Sequence, residues 1–476
     1  MRLFEILLLV GLTPLVMWPL LPLRRPRWLD GLTLLVLAFL AAHLIWETGR
    51  WQMIPAYGLT AVYTLIALYH LIKRDWRLEI GDSATANLQS PISNLRSAFF
   101  SLPALFILLI AFALPTLLPV PKMPPMTGPY AVGTFSLDLV DNGREEIYTP
   151  QVGDPREVMA QFWYPAAPTG KEAEAVYLPG LDVAGPVLAE QFNLPAFLFN
   201  HVNLTKTDVW QDAPAADGRF PLIIFSHGLT GLRVQNSSMA RELASQGYVV
   251  AAIDHTYGNA LTVFPDGRVI LYDPCRLFPN CDATYVAANP LVHQWADDIA
   301  FLLDTVANWN ETTSGILAGK LDLEHIGVFG HSTGGGAMVQ FCMDDSRCDA
   351  GIGLDAWVLP VDERVLDTPP QQPLLFLSSP VWLGKENQAR GRAILQSLPA
   401  NGYELTLADT EHFDFSDLAL FSPLTPQLGL SGKIDSMFSQ EVQIRYVLAF
   451  FDQYVKGEER PLLTQPSPYS QLTIND

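Results

Sequence analysis

Apolar residues are not spread evenly along the chain. Four apolar runs fill most of residues 1–120, at 4–22, 29–46, 53–72 and 99–120. Each is close to the roughly 20 residues a helix needs to cross a hydrocarbon core. Four in series predict a four-helix transmembrane segment over 1–120. The first run read alone resembles a signal peptide, but it lacks a small-residue cleavage site and leads into three more spans. Residues 121–130, PKMPPMTGPY, form a Pro-rich linker that stops the last helix. From 131 onward the period changes. Short β-branched runs at 158–164, 222–226, 248–254, 325–329, 350–355 and 374–378 alternate with amphipathic stretches at 234–245, 292–309, 335–342 and 388–398. A last helical pattern covers 439–456. Strand-helix alternation predicts a mostly parallel sheet covered on both faces, an α/β fold for 131–476.

Charge orients the first segment. The first inter-span loop carries Arg24, Arg25 and Arg27, and the third carries Lys73, Arg74, Arg77 and Arg96. Only Arg2 and Arg50 lie at the opposite ends. Positive loops stay in the cytoplasm, so both chain ends and the catalytic part are expected outside it. His43 and His70 fall near span ends and read as interfacial side chains. Residues 1–122 hold ten Lys/Arg and six Asp/Glu, net +4, within a chain of net charge −20. The globular part is therefore strongly acidic, which excludes nucleic acid as a partner. Cys275, Cys281, Cys342 and Cys348 form two local pairs of equal spacing. Two small disulfide loops fit an oxidising compartment; four free thiols are the alternative. No spacing suggests a metal site or a cofactor.

After the 325–329 strand comes Gly330-His331-Ser332-Thr333-Gly334, a G-x-S-x-G sequence between strand and helix. In this setting the serine sits on a sharp turn with its hydroxyl presented at the sheet's C-terminal edge. No Lys-Ser/Thr pair follows, so a phosphate loop is excluded. Triads on such folds run serine, acid, histidine. His412 is the one histidine after Ser332, and it becomes the base by elimination. Asp355 ends the next strand and is the expected acid, with Asp409 as competitor. Two backbone N–H groups must hold the oxyanion. Those of Thr333 and Leu229 are expected, the latter in the loop Ser226-His227-Gly228-Leu229, where His227 would brace the turn.

Three segments together resemble the plasma-type (group VII) platelet-activating factor acetylhydrolase family: FSHGL at 225–229, GHSTGG at 330–335 and GLDAW at 353–357. They are similar also to bacterial esterases of the dienelactone-hydrolase and polyester-hydrolase neighbourhood. The resemblance covers about 130–458 and implies an α/β-hydrolase fold. It implies Ser332, Asp355 and His412 as nucleophile, acid and base, with Leu229 and Thr333 as oxyanion donors. It implies metal-free hydrolysis of short or oxidised acyl esters of phospholipids. Two departures stand out. Thr333 occupies a position that is often aromatic in the family, and the four spans have no counterpart in its secreted members. An insertion at 178–210, with Phe192, Phe197, Leu198 and Phe199, reads as an apolar lid or as ordinary core. The expectation is a multi-pass, membrane-anchored serine ester hydrolase acting on lipophilic or phospholipid-type esters, with membrane lipid as a partner. Its rivals are a serine peptidase or acyltransferase on the same triad, and a silent receptor or scaffold. The sequence leaves the oligomeric state open.

Overall fold

The computed structural model describes residues 1–21, 26–79, 91–191, 195–311 and 315–475. Arg24, Arg25 and Phe192 lie outside them, as do the side chains of Lys73, Arg74, Arg77 and Arg96. The chain forms two compact units. The first comprises Met1–Pro121 with Ala189–Leu204 and Phe421–Pro423; the second comprises Lys122–Leu188, Thr205–Leu420 and Leu424–Asp476.

The first unit is built on helices α1 (Leu3–Met17), α2 (Trp28–Ala42), α3 (Ile54–Glu79) and α4 (Pro91–Leu117). Among the described residues, three stretches are long and apolar enough to cross a membrane: Leu3–Leu20, Trp28–Glu47 and Trp51–Ile72. The fourth expected run lies in α4, whose described apolar part, Ser101–Leu117, is shorter. Leu8, Leu12, Val36, Met53 and Ala111 meet in the unit's interior. One end is closed by charge. Glu5, fully buried, accepts from Arg2 and from Arg50 (2.7 Å), and Arg50 donates to the Leu118 carbonyl beyond α4 (2.7 Å). The start of α1, the entry to α3 and the end of α4 therefore meet, and the helices alternate in direction. His43, expected at an interface, is instead buried, bonded to Glu47 (3.0 Å) and the Tyr57 hydroxyl (2.7 Å). Glu5, His43 and Glu47 bring their ligand atoms within 4.8 Å of one another, but Arg2 and Arg50 already balance the two carboxylates.

The 178–210 insertion is divided. Its helix α5 (Leu181–Gln191) begins with buried Leu181 and Ala184, which belong to the second unit. Further on, Phe197 packs edge-on against Trp51 at 5.3 Å within the first unit, and the Leu198 carbonyl accepts from the Trp51 indole.

The second unit is a sheet covered by helices. Its strands are β1 (Ala131–Glu145), β2 (Pro155–Ala166), β3 (Val209–Gln211), β4 (Phe220–Ser226), β5 (Val249–Asp254), the separate hairpin β6 (Leu261–Val263) and β7 (Val269–Leu271), then β8 (Leu321–His331), β9 (Ala350–Leu354), β10 (Leu374–Ser378), β11 (Gly402–Leu407) and β12 (Leu472–Asn475). Ten pair in the order β12-β11-β10-β9-β8-β4-β5-β2-β1-β3. The run from β11 to β5 is parallel, and β2 and β12 flank it antiparallel. Parallel strands here are apolar on both faces, as in Leu222, Ile223, Ile224 and Phe225 of β4, all buried. The covering helices are α6 (Ser237–Ser245), the short α7 (Pro274–Leu277), α8 (Tyr285–Asn310), α9 (Thr333–Asp344), α10 (Gly384–Ser397) and α11 (Ser436–Tyr454).

The stretch before β1 is not a free tether. The Thr127 N–H donates to Glu242 (2.8 Å), the Gly128 N–H to the Ser245 hydroxyl (3.1 Å) and the Tyr130 N–H to the Ser245 carbonyl (3.1 Å). Buried Arg241 donates to the Pro124 carbonyl. Only glycine fits at 128, since a Cβ there would lie 2.0 Å from the Ser245 oxygen. Both cysteine pairs are joined, Cys275–Cys281 and Cys342–Cys348.

Candidate active site

The carboxyl ends of the parallel strands gather Ser226, Asp254, Ser332 and Asp355, the crevice where α/β sheets hold their ligands. Ser332 joins β8 to α9 with φ 54° and ψ −119°, a conformation costly for any residue with a side chain. Its surroundings impose it. The Ser332 N–H donates to Leu354 O (3.0 Å), and its carbonyl accepts from the Trp357 N–H (2.8 Å). The turn closes only because Gly334 is small: a Cβ there would sit 2.1 Å from the Ser226 carbonyl. Gly330 is crowded in the same way by the Gly334 carbonyl.

His412 follows β11 and its Nδ1 lies 2.7 Å from Asp355 Oδ2. Asp409, the competing acid, is not its partner. Asp355 is fully buried and also accepts from the Ser379 N–H (2.8 Å) and hydroxyl (2.9 Å). Burial pushes the Asp355 carboxyl up to about 7 against the Ser379 donors, and pushes the His412 imidazole down to about 3. Both shifts express one fact: this interior disfavours a separated ion pair. The His412 ring lies between two others, Trp382 on one side and His331 on the other, the latter at 4.4 Å.

His331 fixes the backbone of His412. Its Nδ1 accepts from the Gln235 amide (2.9 Å), so its Nε2–H donates to the His412 carbonyl (3.1 Å). Burial holds it neutral. Gly228 packs so closely against His331 and the serine that a side chain there would lie 2.9 Å from His331 Nδ1 and 3.1 Å from the Ser332 Cβ. Among the described residues, neither the Leu229 nor the Thr333 N–H has a hydrogen-bond acceptor. Thr333 opens α9, where N–H groups are free by helix geometry. His227 is fully buried; its Nδ1 donates to Gly228 O (2.7 Å) and its Nε2 accepts from the His255 N–H (3.1 Å). It braces the loop, as expected.

Trp382 and Ser379 are additions to the residues singled out from sequence, and His331, singled out there as part of the serine turn, also contributes its ring. Ser379 and Trp382 follow β10, a strand end without a carboxylate, and carry no motif of their own.

Similarity to known proteins gives the family and the fold class. The sequence profile of the family described as platelet-activating factor acetylhydrolase, isoform II, matches residues 118–265 and 296–460. The chain belongs to that family. It is accordingly a carboxylic ester hydrolase of a lipid-degrading family. The platelet-activating factor acetylhydrolase of Cavia porcellus is 27% identical over 361 residues, 70% of this chain and 78% of that protein. The Bos taurus enzyme of the same name is 28% identical over 297 residues, 55% of this chain and 66% of the relative. Among solved structures, a ferulic acid esterase from Streptomyces cinnamoneus is 26% identical with a TM-score of 0.62, covering 75% of this chain and all of that one. The sheet and its helices are thus those of an α/β-hydrolase.

Proposed function

We propose that the family's ester hydrolysis is carried out here by Ser332, His412 and Asp355, on lipophilic or phospholipid-type esters, by an enzyme anchored in a membrane. The Ser332 hydroxyl attacks the ester carbonyl while His412 Nε2 takes its proton. The N–H groups of Leu229 and Thr333 receive the oxyanion of the tetrahedral intermediate. His412 returns the proton to the departing alcohol, leaving an acyl-enzyme. A water then repeats the sequence and releases the acid. Asp355 keeps the proton of the resting imidazole on Nδ1 and stabilises the imidazolium.

The observation that carries this reading is the 2.7 Å bond between His412 and Asp355, with the His412 ring stacked on His331, the residue that precedes a serine held in a strained turn. The substrate class follows the names of the relatives. The anchor follows the three apolar stretches among the described residues, joined in this reading by α4, and the placement of 131–476 outside the cytoplasm follows the Lys/Arg-rich first and third loops.

The deciding experiment uses the full chain in detergent. Ser332→Ala is expected to lose about 10⁴-fold or more in kcat and all labelling by a fluorophosphonate probe. Retention of more than a few per cent of the wild-type rate would remove Ser332 from the mechanism. A reporter fused after Asp476 that is active only in the cytoplasm would reverse the topology.

A further inference from the structure

A second serine, histidine and aspartate are linked in series beneath the candidate site. The Ser226 Oγ lies 2.9 Å from His255 Nε2, and His255 Nδ1 lies 2.9 Å from Asp298 Oδ2. All three are fully buried, so this chain touches no substrate. Asp298, on α8, also receives Arg156 through Nη2 (2.6 Å) and Nε (3.1 Å) and Arg144 (2.8 Å). Arg156 in turn binds Glu146 (2.6 Å). The Trp295 ring lies flat against His255, 4.4 Å away at 6°.

The proton positions follow from the partners. The carboxylate of Asp298 takes the Nδ1–H of His255, which leaves His255 Nε2 to accept the Ser226 hydroxyl proton. Burial lowers the pKa of both His255 and His227, so both rings are neutral. The His255 backbone N–H is then the donor that keeps His227 Nε2 unprotonated. That leaves the proton of His227 on Nδ1, aimed at the Gly228 carbonyl. This carbonyl shares a planar peptide with the Leu229 N–H, and in a trans peptide the two point in opposite directions. Pulling the carbonyl inward turns the N–H outward. The same peptide is the one proposed above to hold the oxyanion.

We infer that His227, held by the buried Asp298–His255–Ser226 chain, is a positioning residue that aims the Leu229 N–H at the oxyanion. The inference rests on the reading of Ser332 as nucleophile and Leu229 as oxyanion donor. It assigns to these four side chains a part in the rate of the chemical step that burial alone would not give them. Their effect reaches the transition state through one peptide plane, so it belongs in kcat and not in ground-state binding.

The test uses the full chain in detergent, a short-chain ester, and a trifluoromethyl ketone whose tetrahedral adduct places an oxyanion in the same hole. His227→Gln moves the amide away from the Nδ1 position, and His227→Asn keeps a donor there. His227→Gln is expected to lower kcat about tenfold or more with KM nearly constant, and to weaken the ketone by the same factor. His227→Asn should restore most of both. Ser226→Ala is the milder variant that keeps the fold if the histidine variants do not, and it should show the same parallel loss on a smaller scale. Unchanged kcat and ketone affinity in folded Ser226→Ala and His227→Gln would overturn the inference. So would a fall in kcat with ketone affinity intact. Ser332→Ala measured alongside separates the two levels. If it remains active, the underlying mechanism fails; if it is dead while the ketone series is flat, only the positioning role fails.

Discussion

The indole of Trp382 lies flat on the imidazole of His412, ring centroids 3.3 Å apart and planes 5° from parallel. With His331 on the opposite face, the ring proposed to accept and return a proton is held as in a clamp. A stacked aromatic holds an imidazole in plane and shields it from water.

Removing the indole should therefore cost rate. Trp382→Ala is expected to lower kcat/KM by about tenfold, whereas Trp382→Phe, which keeps a stacking face, should stay within about threefold. Steady-state kinetics on one ester decides between them. Equal rates for Trp382→Ala and the parent would mean that the Asp355 bond alone orients His412.

The dyad sets a pH dependence. Because burial raises Asp355 to about 7 and lowers His412 to about 3, the pair binds its first added proton as a unit. Above that uptake His412 Nε2 is free to act as base; below it the extra proton removes the base. The kcat/KM profile is expected to be flat above about pH 7 and to fall with unit slope below. The Ser379 hydroxyl favours the ionised carboxyl, so Ser379→Ala should shift the limb to higher pH, by about one unit. A limb that stays put or moves to lower pH would contradict the assignment.

The turn at the serine has no room. Gly334→Ala would drive a methyl group into the Ser226 carbonyl, and since that atom is backbone the strand itself must move. A loss of about 3 kcal/mol or more is expected, read from the shift of a urea melt. A melt displaced by less than about 1 kcal/mol would show that the turn can relax.

The two disulfides should differ in their effect. Each closes a short loop, for which chain entropy gives about 2 kcal/mol. Cys342 and Cys348 are in addition buried at the end of α9, the helix that Ser332 begins, whereas Cys275 and Cys281 are exposed. Cys348→Ser is therefore expected to lower Tm more than Cys281→Ser. Digestion without reductant, followed by mass spectrometry, should recover both linked peptides; crossed pairs or free thiols would refute the pairing.

Much of this was legible in the chain because the signals were local. The β10 strand and the β8–α9 turn follow from runs of a few residues, and Asp355 was expected because a strand ends on it. Strand β1 stands out less in the sequence: Phe135, Leu137 and Leu139 alternate through it, but its polar positions are about as numerous as its apolar ones. What could not be read depends on distant partners. Ser226, His255 and Asp298 are separated by 29 and 43 positions, and no spacing marks them. Nor does composition reveal that Phe197 leaves the surrounding insertion to meet Trp51, because an aromatic residue suits either neighbourhood.

The Pro-rich stretch before β1 looks like a place where the molecule can be cut. Its bonding to α6 makes it the opposite. Glu242 and Arg241 are buried, and Thr127 and Pro124 are among the groups that satisfy them. Proteases need an extended segment they can lift from its support, and this one is held along its length by side chains and backbone alike. Trimming the chain at 131 would strip polar groups of α6 bare, so a shortened form that keeps the sheet and its helices intact has to begin ahead of Pro124.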